Sequence, residues 1–125
     1  MKQANRHLTG EGEMDYDYIN DVLFFKVKNR EYDRSLEFEN MVIDIDSENF
    51  ITGIQIFNAS NFLRMDKSAL RRIPKWTFQA YIDEESIEIR LNFLVSVRNQ
   101  LIEKNPIIIQ RNDEKLPESE IVATV

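Results

Sequence analysis

The chain has no cysteine among its 125 residues. That excludes disulfide scaffolds, thiol catalysis and cysteine-based zinc sites, and it fits a reducing compartment. The single histidine, His7, sits in a polar N-terminal stretch, so neither a Ser-His-Asp arrangement nor a multi-histidine metal site can be assembled around it. No apolar run approaches the roughly 20 residues that span a bilayer. The opening MKQANRHLTGEGE lacks the apolar core of a signal peptide. These absences predict a soluble cytoplasmic protein with no membrane partner. Glycine is also scarce, at three residues, among many Ile, Phe, Val and Tyr; that composition suits a β-rich core. The net charge of −6 disfavours whole-surface binding to nucleic acid while leaving room for a local basic patch.

What is present reads mostly as strand. Residues 1–13 are polar and non-periodic and are expected to form a disordered leader, with Met14 an alternative start. Tyr16 and Tyr18 alternate with Asp15 and Asp17, and Asn20-Asp21 signals a turn. Val22 to Lys28 follows, with Leu23, Phe25 and Val27 on one face and Phe24 on the other. Met41, Ile43 and Ile45 share a face opposite Asp44 and Asp46. Ser47-Glu48-Asn49 then turns the chain into a strand carrying Thr52, Ile54 and Ile56.

Asn58-Ala59-Ser60 is a helix-start signal, with Asn58 or Ser60 expected to cap the first free N–H groups. Phe62, Met65, Ala69 and Ile73 recur at helical spacing up to Pro74, and Asp66 divides or recaps the segment. Beyond it, Trp76–Ile82 and Ile87–Val97 alternate cleanly. Pro106 marks Leu101–Arg111 as an edge strand or breaks it at Asn105, and Ile121–Val125 is a second candidate edge. The predicted fold class is α+β: an antiparallel β-meander, one central helical segment over 59–73, then a second antiparallel meander. In domain terms, a module over 14–73 and a C-terminal extension over 74–125 are expected to share one core.

The residues Tyr16-Asp17, Asp21-Val22-Leu23-Phe24-Phe25, Ile43-Asp44-Ile45-Asp46, Gly53-Ile54-Gln55-Ile56 and Ala59-Ser60 fall in a characteristic order. Over residues 15–63 the chain thereby resembles the domain of unknown function 2283 family. That family usually has glycine in the hairpin turn where this chain has Asn49, which also tolerates the left-handed conformation. The resemblance implies a small hairpin-plus-helix module and no established activity.

Chemistry is sparse. Asp44, Asp46 and Glu48 alternate like the first ligands of a calcium loop, but glycine at position six and glutamate at twelve are replaced by Asn49 and Gln55. Asp44 and Asp46 would lie about 7 Å apart on a strand, as any i, i+2 pair does, and no apolar pocket is there to raise one pKa. A hydrolase built on that pair is the weakest reading. No residue set calls for a catalytic, metal or cofactor assignment. The one concentrated basic stretch is Arg64, Lys67, Arg71, Arg72 and Lys75, of which Arg64, Lys67 and Arg71 would fall on one side of a helix as a stripe for an anionic partner. The leading expectation is a non-enzymatic domain acting through protein association, as a homodimer or an antitoxin-like or regulatory partner. It rests on surplus apolar strand (Val22, Phe24, Leu94) and on the two candidate edges. A nucleic-acid-binding accessory role through residues 64–75 is the alternative.

Overall fold

The computed structural model describes residues 6–73 and 75–124. The chain order is β1 (His7–Asp17), β2 (Val22–Val27), β3 (Tyr32–Phe38), β4 (Met41–Asp46), β5 (Ile51–Phe57), α1 (Ala59–Leu63) and α2 (Lys67–Leu70). It continues with β6 (Trp76–Ile82), β7 (Ser86–Val97), β8 (Gln100–Lys104), β9 (Ile107–Arg111) and β10 (Ser119–Thr124). The ten strands form one mixed sheet in the order β3-β4-β5-β2-β1-β10-β6-β7-β8, with β9 collinear with β8 and also paired to β7. Among the described residues no helix is long and apolar enough to cross a membrane.

This corrects the α+β expectation. The segment over 59–73 is not one helix but two short ones, of five and four residues. Arg64 adopts the left-handed conformation (φ 56°) and closes α1, and Asp66 is extended before α2. The break lets the chain turn, so that Ala59, Leu63, Leu70 and Ile73 enter the core while Phe62 stays exposed. Pro74, expected to end the helix, lies outside the described residues.

The strand path folds over on itself. β2 and β6 are three steps apart along the sheet, which would separate them by about 14 Å if it were flat. Instead the rings of Phe25 and Phe78 stack at 4.4 Å and 20°. β1 makes the fold possible. Its first half, His7–Glu11, pairs in parallel with β10, and its second half, Gly12–Asp17, pairs antiparallel with β2. A single core fills the space between the layers, with Met41, Ile43, Ile54, Trp76, Phe78 and Ile89 all at 2% exposure or less.

Two further expectations change. The stretch from His7 to Glu13, expected in a disordered leader, is strand; residues 1–5 lie outside the described residues. Leu8, Gly10, Gly12, Met14 and Tyr16 do alternate, but glycine at two of those positions hides the pattern. Glycine at position 10 has a physical reason, since a Cβ there would come within 3.3 Å of Val27 Cγ1. Ile121, expected on an edge, is interior, because β10 is held between β1 and β6. Turns use asparagine where many proteins use glycine: Asn29, Asn49, Asn58 and Asn99 all have positive φ.

Candidate functional site

The alternation of β7 places Glu88, Arg90, Asn92, Leu94 and Ser96 on the side facing away from the core. Register carries the pattern to the strands at the edge. Leu101 lies opposite Ser96, Ile107 opposite Arg90 and Ile109 opposite Glu88. Leu101, Ile107 and Ile109 are 70%, 53% and 63% exposed, and Leu94 joins them. Pro106 does both things expected of it: the strand lies at the edge and is interrupted there. Across the gap the Pro106 carbonyl still accepts a hydrogen bond from the Leu91 N–H at 3.1 Å, and Asn92 donates to Glu103 at 2.9 Å and to Asn105. The result is an open strand edge with an apolar outer rim. Of the apolar residues expected to be left over, Leu94 is exposed, whereas Val22 is buried and Phe24 half-buried.

The basic residues do not form one stripe, because the helix that would align them is broken. Lys67 and Arg71 gather on the ring of Tyr18, with their charged ends 5.5 and 4.8 Å from its centroid. Arg72 donates to the Ser68 carbonyl at 3.2 Å, and Lys75 is exposed just before β6. Arg64 lies elsewhere, lining a cleft with Lys104. Lys104, Val97 and Ile102 belong to that cleft and were not among the expected residues. Nothing in a one-dimensional pattern brings the end of β8 beside α1.

The acidic residues that look like chemistry hold the fold together. Asp46, expected on a wet strand face, is 4% exposed. One oxygen accepts the Glu48 and Phe50 N–H groups, both at 2.9 Å, and the other receives Arg30 Nε at 2.5 Å. Asp44 accepts from Ser35 Oγ at 2.7 Å. Both Asp46 oxygens are thus engaged within the fold.

Asp21, also buried, does what was expected of Asn58 or Ser60. Asn58 makes no side-chain capping bond. Asp21 Oδ1 accepts the Ser60 N–H at 3.0 Å and the Tyr16 hydroxyl at 2.5 Å, while Oδ2 accepts Ser60 Oγ at 2.6 Å. Burial pushes the Asp21 carboxyl up. The bonds from Ser60 and Tyr16, with Lys67 nearby, outweigh it and hold the group below its ordinary value. Tyr16 is shifted the other way, its hydroxyl raised well above the usual range by burial and by its bond to the Asp21 carboxylate.

Known proteins give the chain its relatives. A protein of Methanosarcina mazei named "Putative hypoxanthine phosphoribosyltransferase" is 32% identical over 103 residues, covering 82% of this chain and 84% of that protein. An uncharacterised protein of Methanocaldococcus jannaschii is 28% identical over 111 residues, 88% of this chain and 96% of its own. Both alignments extend into the C-terminal strands. No solved structure matches. Residues 13–60, which run from β1 through the β4–β5 hairpin into α1, match the family described as "Protein of unknown function (DUF2283)". With that match, and relatives alike over most of their length, the chain belongs to the DUF2283 family.

Proposed function

We propose that this chain is a non-enzymatic cytoplasmic domain that works by associating with a second copy of itself. The observation that supports this reading is the outer rim of the β8–β9 edge, where Leu101, Ile107 and Ile109 stand in water on a strand with an unpaired side. Isolated surface apolar residues are ordinary, but several of them along one open edge are what proteins usually suppress. A two-fold partner offers the same edge in return, which is how an isologous contact is built.

The nucleic-acid reading has less support, since the cations of residues 64–75 are dispersed over Tyr18, the Ser68 carbonyl and the cleft. The activity in the Methanosarcina relative's name finds little support in the elements of this chain. A phosphoribosyl donor is rich in phosphate, which proteins commonly cradle on glycine-rich turns and helix N-termini. Here Gly10, Gly12 and Gly53 all lie within strands, and the two helices have five and four residues.

Sedimentation or light scattering tests the association. The expected result is twice the 14.9 kDa chain mass at micromolar concentration. Leu101→Lys combined with Ile109→Lys should give the monomer with an unchanged far-ultraviolet spectrum, because both side chains already face solvent. A parent protein that stays monomeric from micromolar to millimolar concentration sinks the reading.

A further inference from the structure

The cleft that takes Arg64 lies between the α1–α2 linker and the β7–β8 hairpin and measures about 630 Å³, within the range of small-molecule sites. Its apolar surface comes from Met65 and Ala69 on one side and Val97 and Ile102 on the other. Arg64 and Lys104 supply charge from elements far apart in sequence. Neither takes part in an ion pair among the described residues. Asp66 also lines the cleft, without reaching salt-bridge distance of either cation, so the local balance stays positive in a chain of net charge −6.

The backbone adds a second observation. Arg64 closes α1 with φ 56°, a position at which glycine or asparagine is the low-energy choice. Of the seven other positive-φ positions among the described residues, four are asparagine and the rest are Asp21, Arg98 and Lys115. The left-handed turn at Arg64 carries a conformational cost, and it sets a cation on a cleft whose lining is part apolar and part polar.

We infer that this cleft binds a small anionic amphiphile, a carboxylate or phosphate head carried on an aliphatic body. The head sits between Arg64 and Lys104, where charge-assisted hydrogen bonds can form. The aliphatic part lies against Met65, Ala69, Val97 and Ile102. Strand alternation keeps this function separate from association, since Ile102 faces the cleft while its neighbour Leu101 faces outward.

The test is a methyl-NMR titration of the full chain with octanoate, octyl phosphate, inorganic phosphate and octylamine. Octanoate, octyl phosphate or both should shift the methyls of Met65, Ala69, Val97 and Ile102, and whichever binds identifies the head group. Inorganic phosphate and octylamine should leave those methyls still. Arg64→Asn should weaken binding by about tenfold or more, the scale of one charged hydrogen bond, while holding or raising Tm because asparagine suits the left-handed backbone. Lys104→Gln should weaken it similarly. Silent methyls with both amphiphilic anions, equal affinity in Arg64→Asn and the parent, or binding of octylamine would each overturn the inference.

Discussion

Replacing Asp21 with alanine should cost about 4 kcal/mol, more than any other single change at a polar residue described above. The carboxylate satisfies three donors from two elements: the Tyr16 hydroxyl of β1, and the N–H and hydroxyl of Ser60 in α1. Alanine leaves those donors part-buried without an acceptor, and it also strains a residue whose φ is 54°. Asp21→Asn keeps an acceptor and tolerates that backbone, so about half the loss is expected. Urea unfolding at neutral pH measures both.

The pH dependence is a sharper test. The Asp21 carboxyl is held low in the folded protein, so its contribution is complete above the ordinary aspartate range near pH 4 and disappears as pH falls through the lowered value. Tyr16 is raised, so its contribution is complete below about pH 10 and fades as the unfolded phenol ionises while the folded one holds its proton. Asp21→Ala should flatten both flanks of the stability profile. A variant with the parent's urea midpoint and profile would show that the network is idle.

Phe78→Ala should destabilise by a similar amount, about 4 kcal/mol, through loss of transfer energy and an unfilled cavity. Phe78 is fully buried, and its ring lies on Phe25 across the two layers. The informative experiment is a double-mutant cycle. Phe25→Leu and Phe78→Leu are gentle enough to stay folded, and the stacked pair should give a coupling of about 1 kcal/mol. Residues on strands three places apart in a flat sheet would be beyond coupling range, and their effects would add. Zero coupling would argue against the folded-over arrangement itself.

The contrast between what could and could not be read from the chain has a physical basis. β6 and β7 announce themselves because buried and more exposed positions alternate along them, and β2, β4 and β5, although buried at some consecutive positions, keep a period of two in their apolar residues. Asn49 in the left-handed region and the division of the helical segment near Asp66 were also legible, since both are local backbone preferences. Alternation states that a segment is a strand without naming its neighbour. Nothing in HLTGEGE points to Glu120 or Ile121, yet those are its partners. The same limit applied to the basic residues. Helical spacing sets Arg64, Lys67 and Arg71 on one side, but Arg64 is itself left-handed and ends the helix, so it lies toward Lys104 while Lys67 and Arg71 rest on Tyr18. Asp21 looked like a turn residue and is one, but its side chain caps a helix 39 positions away in sequence.

The placement of β10 has a consequence for how the protein is made. β2 through β5 can assemble once residue 57 has left the ribosome; β6–β7 and β7–β8 follow as hairpins, and β9 continues along β7 beyond β8. β10, the last of the ten strands to be translated, must then insert between β1 and β6. Until it does, the first half of β1 and the inner edge of β6 both present unpaired backbone, and closing the gap links residues 7 and 120 across nearly the whole chain. So long-range a closure is entropically slow. Nascent chains should therefore spend a vulnerable interval with two sticky edges, protected only by whatever chaperone or partner reaches them first.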